Sequence, residues 1–87
     1  MTRDLTIMNR FGIHARPAAL FVKTANNFQS EIMVEKDGLK VSGKSIIGLL
    51  TLEGYQGAAI RITALGADAA EALLALEDLV QKKFFED

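Results

Sequence analysis

Asp37-Gly38 lies between two runs, one in which Ile32 and Val34 alternate with Glu31, Met33 and Glu35, and one in which Leu39 and Val41 alternate with Lys40. A period of two marks a half-buried strand. An Asp-Gly pair between two such runs tolerates the positive backbone angles of a two-residue hairpin turn. The middle of the chain is therefore an antiparallel pair. This constrains a second pattern: Gly38 to Ser45, GLKVSGKS, satisfies G-x-x-x-x-G-K-[ST], the nucleotide-binding P-loop. In a P-loop the amides between the glycines wrap a phosphate, whereas here they belong to a strand whose N–H groups are committed to the ladder. A P-loop also follows a buried parallel strand and works with a second strand carrying a magnesium-binding Asp. The chain has no apolar run ending in Asp. A small nucleotide-binding protein using residues 38–45 is kept only as an alternative that nucleotide titration tests.

The remaining elements follow from periodicity. Leu5-Thr6-Ile7-Met8 reads as a short strand stopped by Asn9-Arg10-Phe11-Gly12. From Pro17 the period changes: Ala18, Phe21, Val22 and Ala25 share one helix face, which ends near Asn26-Asn27. Pro17 suits the first turn, where a missing N–H costs nothing. Ser45 precedes Ile46-Ile47-Gly48-Leu49-Leu50 and reads as the N-cap of a short helix. Ala58 to Thr63 is a fourth strand, ended by Gly66. Asp68 with Glu71 resembles a capping box, opening a helix striped with Ala69, Leu73, Leu76 and Val80 that ends near Lys82-Lys83. The order is βαββαβα, an α+β fold with a four-stranded antiparallel sheet and three helices on one face.

Eighty-seven residues make one domain, 1–87, able to bury roughly 60–65% of its unfolded surface. The absence of cysteine excludes disulfides and thiolate metal sites. With a single histidine and no clustered acidic spacing, no metal or cofactor is expected. A formal charge of -1 provides no overall cationic field for nucleic acid or anionic lipid. Neither an apolar leader nor a membrane-length run is present in the sequence, so a cytoplasmic protein is expected, and with no oligomer indicated a monomer is the simpler expectation.

The chemistry centres on His14, in Gly12-Ile13-His14-Ala15-Arg16-Pro17-Ala18-Ala19. At the start of a helix the free N–H groups and the dipole's positive end favour an anion, and Arg16 adds a guanidinium suited to phosphate oxygens. Imidazole is nucleophilic near neutral pH, and a phosphoryl group on it leaves readily because the departing nitrogen is a weak base. The competing reading makes His14 an ordinary polar residue entering a helix and Arg16 a solvated charge; spacing alone leaves both open. The acidic pairs Glu77-Asp78 and Glu86-Asp87 read as solvated helix and tail charges.

GIHARPAA followed about thirty residues later by GKSIIGLL closely resembles the HPr family of histidine phosphocarriers of the bacterial sugar phosphotransferase system, from strand one through the last helix. The resemblance implies an open-faced β-sandwich and a carrier rather than an enzyme. It implies that His14 is phosphorylated on Nδ1 by Enzyme I, which takes the group from phosphoenolpyruvate, and passes it to EIIA domains with help from Arg16. By the same resemblance Ser45 matches a regulatory serine that a dedicated HPr kinase/phosphorylase modifies in some lineages. Partners would dock on the first two helices: Ala15, Pro17, Ala19, Leu20, Lys23, Ile46, Ile47 and Leu50. Leu20 lies off the core stripe and Ile46-Ile47 cannot both be buried at a helix start, so an apolar patch edged by charge is expected there, with Leu49 in the core. A regulatory member of the family, in a nitrogen-related phosphotransfer chain or bound to a transcription factor, is the alternative. Phe11 stands where the family often has a small polar residue, which implies that a polar neighbour of His14 is absent. Glu53 and Tyr55 also depart from the family pattern and are candidates for altering partner choice.

Overall fold

The structure, a computed structural model, describes residues 1–86. Its elements are β1 (Thr2–Thr6), α1 (Ala15–Ala25), β2 (Glu31–Lys36), β3 (Leu39–Ser42), α2 (Ile46–Thr51), β4 (Ala59–Leu65) and α3 (Ala69–Gln81), followed by a tight turn at Lys83–Phe85. The strands form one antiparallel sheet in the order β1-β4-β2-β3. This is the expected α+β open-faced sandwich. Asp37 and Gly38 take φ of 52° and 83° at the hairpin tip, and Lys36 pairs with Leu39. The residues that would have wrapped a phosphate are in β3. Gly43 N–H donates to Ile32 O at 2.7 Å, and Lys44 Nζ donates to Phe28 O at 2.8 Å. The groups of GLKVSGKS are thus used to fasten the sheet.

Two strands have bounds other than those expected. β1 starts at Thr2 and stops at Thr6, because polar Thr2-Arg3-Asp4 is held by pairing with β4 rather than by an apolar stripe. Beyond β1, Ile7 is buried and linked to the 57–58 turn by the Ile7 N–H to Ala58 O and Gly57 N–H to Ile7 O bonds, at 2.9 and 2.7 Å. β4 begins one residue after Ala58 and runs on to Leu65, which faces Glu31 of β2. Propensity cannot see that extension.

Within β4, Ile60, Ile62 and Ala64 turn inward, while Arg61 faces outward and pairs with Asp4 at 2.8 Å. The inward side receives Ala18, Phe21 and Ala25 from α1, Leu49 from α2, and Leu73, Leu76 and Val80 from α3. Each large side chain so buried stabilises the fold by about 1.5–3 kcal/mol. Val22 is only half-buried at the edge of this core.

Asp68 is the N-cap of α3, yet its carboxylate makes no capping bond, so the capping box is not formed. Instead it accepts the N–H groups of Gln29 at 2.8 Å and Ser30 at 3.0 Å, together with the Ser30 hydroxyl. Three donors at the turn before β2 outcompete one helical amide. These bonds, the Ser30 hydroxyl first and then the Gln29 amide, hold the Asp68 carboxyl below its ordinary value.

Candidate functional site

The loop between β1 and α1 is fixed from below. Gly12, at φ 65°, lies so close to the backbone of Gly54 and Tyr55 that a Cβ would collide with it. Ile13 N–H donates to Gly54 O at 2.7 Å, and the Ile13 side chain is buried. Asn9, fully buried, donates through Nδ2 to Gly12 O at 2.7 Å, and Gly12 N–H returns to Asn9 O at 3.1 Å. These contacts deliver His14 in an extended conformation to the N-cap of α1 (φ -96°, ψ -168°).

His14 makes no side-chain cap, and the amides of Ala15 and Arg16 have no acceptor among the described residues. Together with the dipole they leave a small electropositive opening. Arg16 is exposed at its edge and forms no ion pair among the described residues. Phe11, also exposed, stands edge-on to the imidazole at 6.3 Å between centroids, with the Arg10 guanidinium 5.4 Å above its own ring.

The polar neighbour of His14 comes from the other end of the chain. His14 Nε2 lies 3.0 Å from Glu86 Oε2, which also accepts from Asn9 Nδ2 at 3.1 Å. His14's side chain is 43% exposed and that of Glu86 15%. Glu86 is therefore not the solvated tail charge expected from sequence; Asp87 lies outside the described residues. The bonds from His14 and Asn9, in that order, with Arg16 contributing at longer range, hold the Glu86 carboxyl below its usual value. With Nε2 occupied, Nδ1 is the ring nitrogen without a hydrogen-bond partner among the described residues. The signal for this contact was the pair Phe84-Phe85 after Lys82-Lys83, of which one ring is buried and the other stays 64% exposed. Phe84 is fully buried, and Lys83, Phe84 and Phe85 adopt φ of 55°, 54° and 60° to put it there.

The other singled-out residues divide. Ser45 caps α2, its Oγ accepting Gly48 N–H at 2.9 Å, as expected. Ile46, Ile47 and Leu50 are exposed at 42%, 78% and 39%, while Leu49 is buried. Ala15, Ala19 and Lys23 are exposed on α1, which packs against α2. Leu20 is half-buried against the core. Pro17 is fully buried and cannot belong to a docking surface; its ring packs inward at the first turn of α1. Glu53 and Tyr55 are exposed beside Gly54, the ring of Tyr55 lying under Lys36 Nζ at 5.0 Å. No group of three potential metal ligands exists among the described residues.

A family profile described as the PTS HPr component phosphorylation site matches residues 1–82. The chain belongs to the HPr family. The phosphocarrier protein HPr of Treponema pallidum is 39% identical over 87 residues, covering 100% of this chain and 99% of that protein. The HPr-like protein Crh of Bacillus subtilis is 49% identical over 72 residues, covering 83% of this chain and 85% of its own. The crystal structure of HPr-C-His from Thermoanaerobacter tengcongensis superposes with a TM-score of 0.96 at 48% identity, covering 100% of this chain and 98% of that one. These are phosphocarrier and HPr-like proteins, and the fold and element order of this chain are those of HPr.

Proposed function

We propose that this chain accepts a phosphoryl group on His14 Nδ1 from phosphoenolpyruvate by way of Enzyme I and hands it to EIIA domains of sugar transport. It acts as a cytoplasmic monomer that carries the group and catalyses nothing alone. The observation that carries the reading is a half-exposed imidazole at the N-terminus of α1 with Nε2 engaged by a carboxylate and Nδ1 available. In-line attack by the Nδ1 lone pair needs that nitrogen unprotonated and accessible. The first-turn amides of Ala15 and Arg16 and the Arg16 guanidinium suit the phosphoryl oxygens. Because helix-dipole effects at an exposed site amount to only about 0.3–1 kcal/mol, the group is held without being trapped.

Enzyme I and EIIA dock on the exposed apolar residues of α1 and α2, principally Ile46, Ile47 and Leu50, edged by Lys23. Ser45 is the regulatory position. A phosphate there keeps company with its own helix terminus but sets close to two negative charges beside the patch. The similarity to Crh supports a second, regulatory reading in which the same surface binds a transcription factor.

Incubation with phosphoenolpyruvate and Enzyme I tests the carrier function. The expected product gains one phosphoryl group, labile in acid and stable in base, and His14→Ala gains none. Failure of the wild-type protein to gain mass, or equal labelling of His14→Ala, removes the proposal.

A further inference from the structure

We infer that Glu86 is a positioning residue for the phosphoryl acceptor: its carboxylate holds the proton on His14 Nε2 before and during transfer. Nδ1 thereby keeps its lone pair for attack, and the phosphorylated ring stays a good donor. The inference rests on the carrier function of His14.

Three features fix this carboxylate at the site. Asn9 donates to the same Oε2 that faces His14, so the oxygen is held by two partners at 3.1 and 3.0 Å. The Asn9 side chain is itself locked by Gly12 O in a fully buried position. Finally, the chain accepts three consecutive left-handed residues, each unfavourable by about 1–2 kcal/mol, to turn back after α3 and reach the site. Phe84, fully buried beneath that turn, offsets the cost and anchors it. A tail with no purpose beyond covering apolar surface needs Phe84 only. It does not need its next acidic residue aimed at an imidazole nitrogen 72 positions earlier in the chain.

In the accepting step Nδ1 forms a bond to phosphorus with its lone pair, and the bond from phosphorus to the donor breaks, its electrons remaining with the donor. The Nε2 proton stays in place. The ring therefore becomes cationic, facing the Glu86 carboxylate. In the onward step the acceptor's lone pair attacks phosphorus, and the N–P electrons return to Nδ1. The departing group is then a neutral imidazole. Without the Nε2 proton it would be an imidazolate, a far stronger base and a much poorer leaving group.

Glu86→Gln is the informative variant, since its amide oxygen can still accept from both Nε2 and Asn9 Nδ2 while the charge is gone; Glu86→Ala removes the contact. Nitrogen-15 NMR of the imidazole in the phosphorylated proteins reads the proton directly. At mildly alkaline pH the wild-type Nε2 is expected to stay in its protonated form, whereas in Glu86→Gln and Glu86→Ala it shifts toward the unprotonated form. The charged groups that can shift this balance are Glu86 from the tail and Arg16 from α1, with Arg10 behind Phe11. Onward transfer at that pH should slow roughly three- to tenfold in Glu86→Gln, the effect of losing one partly exposed charge-assisted bond. In acid, where every ring is protonated, the rates should converge. Identical Nε2 signals in wild type and both variants, or slowing that is equal at all pH values, overturns the role of Glu86. Absence of any phosphohistidine in the wild type instead overturns the carrier function, so the two failures are distinguishable.

Discussion

Gly12 and Gly38 both adopt positive φ, at 65° and 83°, but for different reasons. Gly38 sits at an open hairpin tip where an added Cβ would meet nothing within 4 Å, so Gly38→Ala incurs only the conformational penalty, about 1 kcal/mol. At Gly12 a Cβ runs into the backbone of Gly54 and Tyr55, which cannot rotate away. Gly12→Ala is expected to lose about 2–3 kcal/mol in chemical denaturation and to displace Ile13 from its bond to Gly54 O. Equal losses at the two glycines would show that the loop under His14 is not tightly seated. Arg16 belongs to the same scale. Being exposed and outside any ion pair among the described residues, it can be reversed to Glu without unfolding the domain. Phosphoryl transfer should nevertheless slow by about tenfold or more, since a like charge now faces the phosphoryl oxygens. Unchanged transfer rates would remove Arg16 from the mechanism.

Among the elements, α2 and the start of α3 show N-cap residues put to two different uses. Ser45 caps its own helix through the Gly48 amide, so Ser45→Ala should cost about 0.5–2 kcal/mol in thermal or urea denaturation. Ser45→Asp retains a capping oxygen and should stay folded, yet bind Enzyme I more weakly because its charge borders Ile46 and Ile47; unchanged affinity would discard Ser45 as a switch. Asp68, by contrast, abandons its helix to hold Gln29 and Ser30. Its folded carboxyl titrates below the ordinary value of 3.8. The stability it contributes is therefore fully present above that value and is lost as pH falls through the lower, folded one. Urea titrations across that acid range should show wild type losing stability more steeply than Asp68→Asn, which has no carboxylate to protonate. Parallel acid limbs would mean that the Ser30 and Gln29 bonds do not discriminate between the charged and neutral forms.

At the scale of the whole molecule, what is readable in the sequence is whatever a local pattern records. Alternation around Asp37-Gly38, the stripe Ala18-Phe21-Ala25 and the cap at Ser45 each lie within a few residues of one another, and the order of elements follows from them. The contacts that complete the site are long-range: Glu86 reaches His14 across 72 positions, Asp68 reaches Ser30 across 38, and no period encodes either. Pro17 turns out buried rather than on the proposed docking surface because a first-turn proline has no preferred face until the sheet is beneath it. The same topology predicts where the molecule opens. β4 is paired on both edges, to β1 and β2, and its inward residues Ile60, Ile62 and Ala64 are buried, so its amides can exchange only when the domain unfolds. For a chain of this length that is about 4–13 kcal/mol. α2 has six residues and buries only Leu49. Its amides should exchange through local opening at a distinctly lower free energy. Native-state hydrogen exchange decides this, because α2 amides as slow as those of β4 would mean that the helix opens only with the whole domain.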